Sequence, residues 1–161
     1  MQDDRRNKVI IMGAAGRDFH NFNVVFRNDP LTRVVAFTAA QIPDIAGRTY
    51  PPVLSGPLYP NGIPIVAESE LLSLIKRDRL NWVYFSYSDV SHQDVMHTAS
   101  TVLAAGANFA FLAPESTAIA PSKPVISVCA VRTGVGKSSA TCRIARFFLE
   151  RRRRRSASYA T

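Results

Sequence analysis

A chain of 161 residues allows one α/β domain and a piece of another, because domains run to roughly 100–200 residues. Its 47% hydrophobic and 9% aromatic content supports a packed core and excludes a disordered chain. The net charge of +8 is local: without the five consecutive arginines at 151–155 the chain carries +3, which excludes a basic surface spread over the whole molecule.

The opening KVIIMG (8–13) is an apolar run ending in glycine, and NFNVVFRN after it has helical spacing, so the chain begins strand, glycine turn, helix. RVVAFTA (33–39) supplies a second buried strand. Six of the ten prolines lie from Pro43 to Pro64, together with Gly47, Gly56 and Gly62; that segment is too broken for regular elements beyond a short IPIV strand. ESELLSLIKRDR (68–79) predicts a helix and WVYFSYS (82–88) a strand. Ser91 with Asp94 forms a capping pair that starts the helix HQDVMHTASTVLAAG, which ends at Gly106, and the strand ANFAFLAP follows. Alternating strands and helices with short connections imply a Rossmann-like, doubly wound parallel sheet. APESTAIAPSKP (113–124) reads as a boundary, giving a first domain over 1–120 and a second segment over 121–161.

No apolar run approaches the roughly 20 residues that span a bilayer, and MQDDRRNK leads straight into a strand with no cleavable apolar segment, so no membrane partner and a cytoplasmic location are expected. Cys129 and Cys142 lack metal-ligand spacing and read as buried reduced thiols. The arginine run can bind RNA or DNA through phosphate neutralisation, but no aromatic residues interleave it, and a solvated helix end is the expected role.

The second segment begins with PVISVCAV, a β-branched apolar run, continues into VRTGVGKSSA (131–140), and enters SSATCRIARFFLE, where Ala140, Ile144, Phe147 and Phe148 recur at helical spacing. Strand, glycine loop and helix in this order are the context that a G-x-x-x-x-G-K-[ST] phosphate loop requires. Val131 stands where that pattern has its first glycine, and a β-branched residue resists the left-handed turn a glycine allows. Gly134 and Gly136 still leave room for a compact turn, and T-G-V-G-K-S is similar to the loops of phosphate-loop proteins that resemble dethiobiotin synthetase. In this reading Thr133, Gly134, Val135 and Gly136, with Lys137, Ser138 and Ser139, form an anion cradle for ATP or GTP. Lys137 contacts the β/γ-phosphates as the catalytic cation, and Ser138 ligates Mg²⁺. The 37 residues from Val125 cannot form an independent α/β core. The face carrying Ile144, Phe147 and Phe148 then docks on the first domain, pairs with another chain or aggregates, which makes a homo-oligomer one expected outcome.

The turn GAAGRDFHNFN (13–23) has glycines three apart after a strand and suits an anion at the following helix start, although close packing of helix on strand accounts for Gly13 and Gly16 almost as well. A third glycine is absent, and AFTAAQ carries no acid at the end of the second strand, so NAD is disfavoured. His92 and His97, five apart, miss a shared helix face and with His20 make no metal set; Asp89 reads as a loop acid or cap.

With GAAGRDFHNFN, IPDIAGRTYPP, YSDVSH and SKPVISVCAVRTGVGKSS in this order, the chain resembles the N-terminal part of the cyclic 2,3-diphosphoglycerate synthetase family, from about Lys8 to about Glu150. The resemblance implies an ATP-using synthetase that forms an intramolecular phosphoanhydride in 2,3-diphosphoglycerate, with Mg²⁺ and with ADP and phosphate released. It also implies that Val131 belongs to the family's own loop. Members continue through a larger nucleotide-binding domain with an acid for Mg²⁺, whereas here FFLE runs into RRRRRSASYAT. The resemblance therefore implies an incomplete phosphate-loop domain, truncated and inactive or nucleotide-binding only. The reading from a different class is a non-catalytic Rossmann-like module that binds an anionic ligand or a protein partner.

Overall fold

The computed structural model describes residues 6–14, 16–39, 47–87, 90–129 and 135–158, with side chains to Arg151. The chain divides into two compact units, 1–119 and 120–161.

In the first unit the elements follow one another as β1 (Asn7–Met12), α1 (Arg17–Asn21), β2 (Thr32–Ala39), β3 (Thr49–Tyr50), α2 (Pro52–Ser55), β4 (Ile63–Ala67), α3 (Leu71–Asp78), β5 (Trp82–Phe85), α4 (His92–Ala104), β6 (Asn108–Ala110) and α5 (Pro114–Thr117). Six strands form one sheet in the order β3-β4-β2-β1-β5-β6. Every pairing is parallel except β3 with β4, where Thr49 faces Pro64 and Tyr50 faces Ile63. The expected all-parallel sheet is thus corrected at one edge by a strand of two residues, too short to leave any period in a proline-rich sequence.

β1 is central because its side chains are apolar on both faces. Val9 and Ile11 enter a layer with Phe22, Phe26, Phe37, Ile63 and Ile65. Ile10 and Met12 enter the opposite layer with Leu74, Ile75, Val83, Phe85 and Val102. The helices therefore cover both faces of a Rossmann-like sheet. From β1 the chain builds outward through β2 and β4, then returns past β1 to build β5 and β6 on the other side, which puts the reversal of strand order between β1 and β5.

The helix expected to begin near Asn21 begins at Arg17. Gly16 supplies no side-chain cap, so nothing in the sequence marked that start. α1 then widens into one π-helical turn, Phe22–Phe26, closed by Arg27 N–H donating to Phe22 O at 2.8 Å. Ser91 caps α4 as expected: its Oγ accepts from Asp94 N–H at 3.1 Å and donates to Asp94 Oδ2 at 2.6 Å. β5 and β6 are shorter than their apolar runs, ending at Phe85 and Ala110.

The first layer also holds the buried phenol of Tyr59 and, packed against it, the half-buried phenol of Tyr84. Tyr59 Oη accepts from Val34 N–H at 3.1 Å; burial pushes its pKa above the ordinary 10.0, and that backbone bond opposes the shift. Tyr84 is raised by burial and by the charge of Asp29. The folded protein holds these protons to higher pH than the unfolded chain, so the stability they contribute is present below 10.0 and is lost as pH rises through the folded values. In an ultraviolet titration of the five tyrosines, two are expected to ionise late and together with unfolding; uniform ionisation of a still-folded chain would contradict the burial.

In the second unit α6 (Lys137–Ser158) is the one helix among the described residues, and it continues through the arginine run. Residues 125–129, expected as a strand, form none and are largely exposed. A β-branched run becomes a strand only where a neighbour offers backbone partners. Cys129 and Cys142 are free and exposed rather than buried, for the same reason. On α6, Ala140, Arg143, Ile144, Phe147 and Phe148 line an open apolar groove. The Arg151 guanidinium lies 5.1 Å from the Phe147 ring centroid, a cation–π contact. Among the described residues no helix is long and apolar enough to cross a membrane.

Candidate functional site

The phosphate-loop residues divide across the limit of the described structure. Thr133 and Gly134, with Val131 and Arg132, lie outside the described residues; Val135, Gly136, Lys137, Ser138 and Ser139 lie within them. Gly136 has φ +86°, a left-handed conformation that other residues seldom adopt. Immediately after it α6 starts, and Ala140 N–H donates to Gly136 O at 3.1 Å as the first bond of the ladder. The amides that precede that bond, those of Ser138 and Ser139 among them, fall outside the helix's own ladder and mark its positive end. A left-handed glycine leading into Lys-Ser-Ser at the start of a long helix fits a phosphate group, and the Ser138 hydroxyl fits a hard cation.

The glycine turn of the first unit is built differently. Gly13 follows β1 with φ +125°, and its N–H donates to Thr38 O at 3.0 Å. Asp18, only 3% exposed, fills the space a side chain at 13 would take: a Cβ there would stand 2.5 Å from Asp18 Oδ2. The helix start considered for an anion is thus faced by the protein's own carboxylate. Three residues on, Asn21 is 2% exposed and its Nδ2 donates to Ser86 Oγ at 3.0 Å. Ser86 N–H in turn donates to Met12 O at 3.1 Å, which ties the end of β5 to the end of β1. Over β2 and β4, Tyr87 Oη donates to Glu68 Oε2 at 2.7 Å and lies 3.4 Å from Thr38 Oγ1.

Sequence reasoning missed Asp18, Asn21 and Ser86. The available signal was the pair R-D-F-H-N after the glycine turn, with Asp and Asn three apart and so on one face of a helix. His20 is bound through Nε2 to Thr117 O at 2.8 Å, while His92 and His97 are exposed on α4; among the described residues no three His, Cys, Asp or Glu side chains converge. Asp89 lies outside the described residues.

No protein-family model matches the chain. Over 150 residues, 93% of its length, it is 55% identical to the protein named Arginine synthetase ArcE from Thermococcus kodakarensis. The chain is similar to a synthetase. It spans about a third of that relative's length, 34%. Among solved structures, the crystal structure of RSP, a Rex-family repressor, superimposes with a TM-score of 0.52 at 14% identity, covering 75% of this chain and 50% of that one. The complex of RSP with β-NADH gives a TM-score of 0.49 at 13% identity over 66% of this chain and 46% of that one. At 14% identity the likeness to the first of these concerns the fold alone, and it agrees with a Rossmann-like sheet.

Proposed function

We propose that the chain is the nucleotide-phosphate-binding part of an ATP-dependent synthetase. The 55% identity to a protein named as a synthetase carries this reading, because a match over 150 of the 161 residues includes everything from Gly13 to Glu150, the Lys137 loop among it. The conformation of Gly136 and the helix start at Lys137 support it. ATP is the proposed nucleotide, with GTP the alternative.

In this reading Thr133, Gly134, Val135, Gly136 and Ser139 cradle phosphate oxygens through their backbone N–H groups. Lys137 offsets charge on the β/γ-phosphates, and Ser138 holds Mg²⁺. Phosphoryl transfer is governed by positioning and charge neutralisation, and these residues supply both at one end of the reacting group. Bound ATP supplies a phosphoryl group that turns a poor leaving oxygen of the second substrate into a good one. An arginine-forming ligation and the closure of a cyclic phosphoanhydride in 2,3-diphosphoglycerate both need that step. The identity to Arginine synthetase ArcE favours an amino-acid substrate; the resemblance of the sequence to cyclic 2,3-diphosphoglycerate synthetases favours the phosphorylated acid.

A thermal-shift titration of the chain and of Lys137→Ala with MgATP tests the nucleotide site. Ligand at 100 times its dissociation constant is expected to stabilise wild type by about 2.7 kcal/mol and the variant much less. Equal shifts in the two proteins would remove the phosphate-loop assignment. ADP release dependent on an arginine precursor but not on 2,3-diphosphoglycerate would select between the two substrates.

A further inference from the structure

We propose that the β6 edge of the sheet, with the exposed face of α4 beside it, is the contact surface for a second copy of this chain. Among the described residues the sheet has two edges, β3 and β6. β3 has the protections usual for an edge strand: it is two residues long, preceded by Arg48 and followed by Pro51 and Pro52, which offer no N–H to a neighbour. β6 has only its shortness, three residues, and neither charge nor proline within it. Asn108 N–H donates to Asn81 O at 3.0 Å and so faces β5. Backbone groups alternate in direction along a strand, which turns the N–H and C=O of Phe109 to the open side.

The surface around that edge is apolar and without formal charge. Phe111, directly after β6, is 60% exposed, and its ring joins those of Phe85 and Phe109 with every pair of centroids 5.6 Å apart. α4 packs against β6, and on its outer face Met96 and Leu103, two turns apart, are 64% and 58% exposed. From 95 to 114 the chain holds no Asp, Glu, Lys or Arg, although 20% of its residues are charged and a stretch of that length would carry about four. Proteins that stay apart keep charges on their sheet edges and their apolar patches small, so an uncharged apolar edge marks a contact.

Charge decides the occupant. A twofold interface sets a patch against itself, and any charged residue near the axis meets its like at a cost. An uncharged patch meets that requirement, which a different partner would not impose. The first unit carries ten basic and eleven acidic residues, net −1, and the second ten basic and one acidic, net +9. Two copies brought together through the Phe147 groove of α6 repel one another, whereas two β6 edges do not. About a twofold at Phe109 the two β6 strands run antiparallel, each Phe109 exchanges both backbone bonds with its counterpart, and the two sheets become one. Three residues of strand pairing are too few alone; Phe111, Met96 and Leu103 supply the apolar area.

Sedimentation velocity of the full chain from micromolar to millimolar concentration tests it, with amide hydrogen exchange followed by NMR at both ends of that range. A monomer–dimer equilibrium is expected. Leu103→Glu and Phe111→Asp, both at exposed positions, should each raise the dimer dissociation constant about tenfold or more with an unchanged far-ultraviolet circular dichroism spectrum, and Phe147→Glu should leave it unchanged. The Phe109 amide should gain protection as the dimer fills, while that of Asn108, bonded to β5, is protected throughout. A monomer at every concentration, association that grows past the dimer, a dimer lost in Phe147→Glu but kept in Leu103→Glu, or a dimer whose Phe109 amide exchanges as freely as the monomer's would each overturn the assignment. The wild-type exchange pattern decides the matter even where a variant fails to fold.

Discussion

Phe22→Ala is expected to cost the first unit about 3–5 kcal/mol, the range for removing a buried phenylalanine. The ring is fully buried and is the hub of the first layer. Its centroid lies 5.8 Å from that of Phe37, 5.6 Å from Tyr50 and 5.2 Å from Tyr59, each pair edge to face. Such aromatic pairs contribute roughly 0.5–1.5 kcal/mol beyond the area they bury, so the loss should sit toward the upper end of the range. The π-helical turn that starts at Phe22 limits collapse into the cavity, because the backbone there is set by the Arg27 to Phe22 bond. Urea unfolding followed by far-ultraviolet circular dichroism measures the difference. A loss below about 1 kcal/mol would show that the layer repacks freely.

The second large effect is expected at Gly13. Gly13→Ala forces a side chain into φ +125° and drives its Cβ onto Asp18, whose Oδ2, Cγ and Cβ lie 2.5, 3.1 and 3.2 Å from that position. Backbone strain of about 1–3 kcal/mol adds to an overpacking cost of about 1–3 kcal/mol. Gly16→Ala, three residues on, meets nothing within 4 Å and serves as the control, with a change within about ±0.5 kcal/mol. Shortening the obstacle in Gly13→Ala/Asp18→Ala should recover the overpacking part but not the strain, so the two substitutions are non-additive. Equal losses for the two glycine variants would contradict the close approach of Asp18.

Legibility in the sequence followed how local each determinant is. The buried strands β1, β2 and β5 and the Ser91 cap of α4 are written in adjacent residues, so apolar runs and a capping pair disclosed them. β3 is two residues long, and its existence depends on Ile63 and Pro64 arriving beside it. Residues 125–129 show the reverse error: the run is apolar and β-branched, but strand formation is a property of pairs. The Asp18, Asn21 and Ser86 group was hidden because Ser86 lies 65 residues from Asn21 and nothing local records their bond. The Gly-Lys-Ser loop was visible as a motif, since its chemistry resides in consecutive residues; its Thr133 and Gly134 lie outside the described structure.

The central position of the first strand bears on how the chain is made. Val9 pairs with Val34 on one side and with Trp82 on the other, so half of its backbone groups wait for a partner far along the polypeptide. On a ribosome the β1-β2-β4 half can assemble while β5 is still being synthesised, and one edge of β1 stays open in that interval. Distant pairings are slow because loop closure precedes any reward, and an open apolar edge invites the wrong neighbour. Synthesis rate between Ala67 and Trp82 is therefore a determinant of yield, and synonymous changes that slow that stretch are expected to lower the soluble fraction without altering a single residue of the protein.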